Sequence, residues 1–75
     1  MEYTMRDLRP GESGTVVGRI SDPQLEKRMR EFGLTEHTVV ECVGCSPLGD
    51  PAAYRIRGVI LALRNGDAAH VPLRR

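Results

Sequence analysis

Aromatic residues are scarce in this chain of 75: there is no tryptophan, one phenylalanine (Phe32) and two tyrosines. Any core must therefore rest on Val, Leu, Ile, Met and Ala. A chain this short buries only about 60% of the surface that its unfolded form exposes, so it should form one small, tightly wound domain over residues 1–75. Cysteine is limited to Cys42 and Cys45, too few for the multi-disulfide framework of a secreted mini-protein. Neither sign of charge dominates. Eleven Lys+Arg against ten Asp+Glu leave a formal net charge of +1, without the basic excess that gives DNA-wrapping proteins their sequence-independent affinity. No apolar run approaches the roughly 18–20 residues that span a bilayer, and Met1 to Asp7 lack the basic and apolar segments of a signal peptide. A cytoplasmic location with no membrane insertion is expected. Gly11 and Gly14 are not followed by the Lys–Ser/Thr of a phosphate loop, His37 and His70 stand apart, and the carboxylates are scattered. Neither a free-standing enzyme nor a cofactor is expected.

What the chain does have is punctuation: eight glycines and five prolines, the mark of short strands and turns. Leu8-Arg9-Pro10-Gly11 reads as a turn leading into a strand over Thr15–Ile20. Val16 and Ile20 share a face of that strand with Gly14 and Gly18, which suits a sharp bend. A helix follows, capped by Ser21 with Gln24 or by Asp22 with Pro23 at its first position. Leu25, Met29 and Phe32 recur at i, i+4 and i+7 as its apolar stripe. Gly33 supplies the left-handed stop, and Leu34 is placed to fold back on the last turn.

From Thr38 the pattern alternates as a strand, with Thr38, Val40 and Cys42 on one face and Val39, Glu41 and Val43 on the other. Ser46 to Pro51 must be a loop, since two prolines and a glycine leave few backbone donors. Tyr54 and Ile56 alternate with Arg55 and Arg57 as a half-buried strand, and Gly58 marks a corner. Val59 to Leu63 is apolar on both faces, so it is expected to be central or covered. Asn65-Gly66-Asp67 reads as a reversal, and Ala69 to Leu73 as a final strand that Pro72 would confine to an edge. Five strands with one helix between the first two make a mostly β architecture, a small, partly open barrel of the SH3 type.

Cys42-Val43-Gly44-Cys45 invites a metal reading. A structural zinc site needs four ligands, however, and a redox C-x-x-C would open a helix rather than close a strand. Cys42 then reads as a small core hydrophobe and Cys45 as a loop thiol, with no metal ligand assigned. A metal carrier built on Cys42, Cys45 and His37 is kept as an alternative. Arg55, Arg57 and Arg64 could form a basic stripe for an acidic partner, or for nucleic acid as a second alternative. In Pro47-Leu48-Gly49-Asp50-Pro51, a leucine within a rigid loop is either tucked into the core or offered to a partner, and Asp50 is placed to cap the turn.

These segments, taken in order, resemble the FeoA family of small accessory proteins of bacterial ferrous-iron uptake, over nearly the whole chain from Leu8 to Leu73. Leu8-Arg9-Pro10-Gly11 looks like the family's opening L-x-P-G. Leu25, Arg28 and Met29 with Phe32-Gly33-Leu34 are similar to its helix and helix stop, and Ser46 to Pro51 to its A-P-L-G-D-P loop. Arg57-Gly58 and Leu61-Ala62-Leu63-Arg64 resemble its last hairpin. Glu36-His37 stands where the family usually has Pro-Gly, and the cysteine pair lies outside the family pattern.

The resemblance implies a non-catalytic protein that acts through the cytosolic GTP-binding part of the FeoB membrane iron transporter, with weak self-association as a further expectation and no nucleic acid. Within the matched segments, Leu25, Arg28, Leu48, Gly49 and Arg64 are the candidate partner-binding residues. Gly33, Leu34, Pro47, Asp50 and Pro51 are the structural ones. Arg28 or Arg64 could be offered to a GTPase transition state, and the helix and the Pro47–Pro51 loop are expected to border one groove.

Overall fold

The computed structural model describes residues 3–75. Its strands are β1 (Tyr3–Thr4), β2 (Ser13–Val16), β3 (Val39–Cys45), β4 (Ala52–Ile56), β5 (Val59–Leu63) and β6 (Pro72–Arg74). Helix α1 (Pro23–Glu31) lies between β2 and β3, and a single helical turn, α2 (Asn65–Ala68), between β5 and β6. All six strands join one antiparallel sheet in the order β1-β6-β2-β3-β4-β5. The mostly β architecture and the inserted helix are as expected. A sixth strand is added by Tyr3 and Thr4, which pair with Leu73 and Pro72 and are too few to leave a readable alternation.

The inner face of the sheet carries Val16, Val40, Cys42, Tyr54, Ile56, Leu63 and Leu73, all buried. Register explains the grouping, since Val40 opposes Ile56 and Cys42 opposes Tyr54. A shift in register between Cys42 and Gly44 bends β3, as an extra residue in one strand does. Met5, Leu25, Met29, Leu34, Ala68 and Val71 fill the remaining core. The Tyr54 hydroxyl is satisfied there, donating to the Met5 carbonyl at 3.2 Å.

Helix α1 is capped by Asp22, whose carboxylate accepts from the Gln24 and Leu25 amides at 3.0 and 3.4 Å, with Pro23 in the first turn. Ser21 is drawn away to His70, with which it shares a hydrogen bond of 2.6 Å. The helix stops as expected at Gly33, φ +86°, and the Leu34 amide returns to the Met29 carbonyl at 3.0 Å. Phe32 departs from expectation: it is 41% exposed. The i, i+4, i+7 reading assumes a continuing helix, but Phe32 already occupies the C-cap. The left-handed turn then carries Leu34, not Phe32, into the third core position.

Three further expectations are corrected. Strand β5 is an edge rather than a central strand, leaving Val59 and Ile60 exposed. Arg57 and Gly58 both have positive φ, 48° and 82°, the two-residue turn that lays β5 flat beside β4, with no further strand beyond it among the described residues. Strand β6 is not an edge but lies between β1 and β2. Pro72 is tolerated because its carbonyl accepts from Val17 at 3.0 Å, and only the return donor is missing. Asn65-Gly66-Asp67 winds into α2 instead of reversing a hairpin, as the Ala68 amide donates to the Arg64 carbonyl at 2.9 Å.

Candidate partner-docking surface

The Ser46–Pro51 loop is closed by its own polar groups. The Ser46 amide donates to the Pro51 carbonyl at 3.0 Å, and the Gly49 amide to the Ser46 carbonyl at 2.8 Å. The Ser46 hydroxyl donates to the Asp50 carbonyl at 2.8 Å. Gly49 sits at φ +87°, which its turn requires and which glycine accepts without cost. The Asp50 side chain caps α2 rather than its own turn, where it was expected to act. Its carboxylate accepts from the Asn65 amide at 3.0 Å, serving the exposed first N–H of α2, and the Asn65 side chain donates to the Gly49 carbonyl at 3.4 Å. Arg64, exposed immediately before α2, is thereby held next to the loop. At the loop tip Leu48 is 95% exposed, so the loop does not tuck it into the core.

Leu48, Gly49 and Arg64 thus form one cluster. Arg28 lies apart, exposed on α1, and Leu25 is 2% exposed within the core, where it reaches no partner surface. The helix and the loop, expected to border one groove, flank opposite ends of the β4–β5 hairpin. The loop flanks the Ala52/Leu63 end of the β4–β5 hairpin. The stop of α1 flanks the other end, where Arg57 Nε donates to the Gly33 carbonyl at 2.8 Å. Four residue steps along the hairpin separate them, about 13 Å.

Nor do Arg55, Arg57 and Arg64 make one open stripe. Arg55 pairs with Glu41 at 3.0 Å, Arg57 is committed to Gly33, and only Arg64 projects without a side-chain partner among the described residues.

Cys42 is buried and Cys45 exposed. Burial pushes the Cys42 thiol up from its ordinary value, against the partial relief of a backbone hydrogen bond from Gly44. His37 lies just before the opposite end of β3, beside Glu36 at 4.0 Å, so the three residues of the metal-carrier alternative do not converge. Among the described residues no three His, Cys, Asp or Glu are grouped to hold a metal ion, and no helix is long and apolar enough to cross a membrane.

One surface was not anticipated from the sequence. An open groove of about 740 Å³ runs between Val17-Gly18-Arg19 and Pro72 to Arg75, with Tyr3 at its side. Arg75 donates to Glu12 at 2.7 Å and lies 4.7 Å over the Tyr3 ring. The only sequence signal was the Arg74-Arg75 pair, far from Arg19 along the chain and hidden by the balanced total charge.

Comparison with known proteins places these features in context. The FeoA domain family model matches residues 3–75. A curated relative, the Fe(2+) transport protein A/Fe(2+) transporter FeoB fusion protein of Porphyromonas gingivalis (strain ATCC BAA-308 / W83), is 31% identical over 67 residues. That match covers 89% of this chain but 8% of the relative. The solution structure of a FeoA protein from Chlorobium tepidum superposes with a TM-score of 0.88 at 22% identity, covering 96% of this chain and 69% of the other. The zinc complex of Stenotrophomonas maltophilia FeoA, described as a prokaryotic SH3 domain protein, gives 0.77 at 24% identity, over 95% and 88% of the two chains. The SH3-like fold is shared with both.

Proposed function

The chain belongs to the FeoA family, and on that premise we propose that it is a non-catalytic accessory protein of ferrous-iron uptake that docks on the cytosolic GTP-binding part of a FeoB-type transporter. The observation that carries this reading is the fusion of the two proteins in the Porphyromonas gingivalis relative. A covalent tether turns an encounter between docking partners into an intramolecular one, which is useful only where the two work together.

The cluster of Leu48, Gly49 and Arg64 supports it. A leucine fully in solvent on a loop clasped by Asp50 and Asn65 is a rigid anchor that loses little conformational freedom on binding. Arg64 beside it offers charge to an acidic surface. Arg28, separated from this cluster, would have to reach the partner by a second contact, so Arg64 is the better placed of the two to approach a bound nucleotide.

The test is calorimetry of the full chain with the transporter's cytosolic domain in the nucleotide-free, GDP and GTP-analogue states, at low salt. Binding in at least one state is expected, and binding in none would overturn the reading. GTP turnover measured alongside separates two modes of action. An arginine supplied to the transition state typically adds about 10³–10⁵ in rate, whereas plain docking leaves the rate nearly unchanged.

A further inference from the structure

We propose that the groove between Val17–Arg19 and β6 is a second docking site, and that it takes an extended acidic peptide with apolar residues between its carboxylates. Arg19, Arg74 and Arg75 line it, together with the half-buried Val17, Pro72 and Tyr3. Arg75 is already neutralised by Glu12 and held over the Tyr3 ring. Arg19 and Arg74 are exposed, and among the described residues neither guanidinium donates a hydrogen bond or pairs with a carboxylate.

Two open guanidinium groups together with an apolar lining match an acidic segment with intervening aliphatic side chains. Arginine forks bind carboxylates in a planar, bidentate manner, and the apolar lining gives the aliphatic side chains somewhere to lie. A phosphate backbone fits less well. With Arg75 taken up by Glu12, two open guanidinium groups make no continuous tier of cations for it to follow.

The inference adds to the docking reading above, and its test is separate because it uses no transporter. The full ¹⁵N-labelled chain is titrated with the acetylated, amidated peptide Glu-Glu-Leu-Asp-Glu-Leu. A short oligothymidylate and the lysine-for-acid version of the peptide serve as comparison probes. Saturable shifts at the amides of Gly18, Arg19, Leu73 and Arg74 are expected, weakening with added salt as exposed charge pairs are screened. The double variant Arg19→Glu/Arg74→Glu should weaken binding by about tenfold or more with an unchanged melting temperature, and Arg19→Gln/Arg74→Gln gives a milder version should charge reversal disturb the fold. Absence of shifts, or shifts centred on Leu48 and Arg64, would overturn the proposal. So would unchanged binding by the folded double variant, or oligothymidylate occupying the same amides at least as tightly. Calorimetry with the transporter domain then reads independently, since that docking can hold while the peptide fails to bind, and the reverse.

Discussion

The two ends of the β4–β5 hairpin use the same backbone device to opposite effect. At one end Gly33, φ +86°, stops α1, and Arg57 clasps its carbonyl. At the other Gly49, φ +87°, turns the Ser46–Pro51 loop, and Asn65 clasps its carbonyl. Around Gly33, Leu25, Met29 and Leu34 are all buried, and Phe32 at the C-cap is 41% exposed. Around Gly49 the one large apolar side chain, Leu48, is in solvent. The first end uses rigidity to close the core. The second spends equal rigidity on holding a hydrophobe outside it, which the stability of the free domain does not require.

The largest expected effect lies at the packed end. Leu25→Ala or Met29→Ala should cost about 2–5 kcal/mol, read as a large drop in Tm or in the denaturant midpoint. Much of the stability of a domain this small would be lost.

Between the ends, Tyr54 gives a pH signature. Burial pushes its hydroxyl from 10.0 up to about 12, so the fold favours the neutral form. Its stabilising contribution should be complete below about pH 10 and lost as the pH rises through about 12. Tyr54→Phe should remove that Tyr54 contribution to the slope. It would also cost about 1 kcal/mol at neutral pH for the lost bond to Met5, which thermal melts across the alkaline range would resolve.

Alanine at the two glycines sharpens the contrast directly. Both substitutions force a Cβ into the left-handed region, at a cost of about 1–2 kcal/mol each. A Cβ on Gly33 would also meet Arg57 Cδ at 2.6 Å, whereas one on Gly49 meets nothing within 4 Å. Arg57 must therefore move and loosen its bond to the Gly33 carbonyl. Gly33→Ala should accordingly be the more damaging of the two in chemical denaturation. Smaller still is Phe32→Ala: partly exposed at the C-cap, it should cost about 1 kcal/mol rather than the 3–5 kcal/mol typical of a buried phenylalanine.

Local chemistry was legible where neighbours in sequence decide the outcome. Asp22 with Pro23, Gly33 with Leu34, and the alternation of Val40, Cys42, Tyr54 and Ile56 all act within a few residues, and the structure has them as read. Misreadings arose where distant pairing decides. An apolar β5 reads as central because its composition cannot reveal that it ends the strand order. Pro72 looked like an edge marker because the two residues of β1 are too short to signal their pairing. Asp50 reads as the cap of its own turn, whereas its carboxylate serves Asn65, fifteen residues on. The loop was readable as a loop, yet Leu48 could have gone inward or outward, and only the clasp to α2 accounts for its exposure. The arginine groove assembles from Arg19 and the last residues of the chain, a pairing that no local pattern announces.

The most direct test of the contrast between the two ends is Leu48→Ala, read twice on the same preparation. Thermal melting should give an unchanged Tm, because surface substitutions away from packed features stay within about 0.5 kcal/mol. Calorimetry with the cytosolic domain of a FeoB-type transporter should show binding weakened by about 1–3 kcal/mol, the transfer worth of a leucine buried in the complex. A lowered Tm with unaltered binding would contradict the account, making the loop part of the packing and placing the docking surface elsewhere.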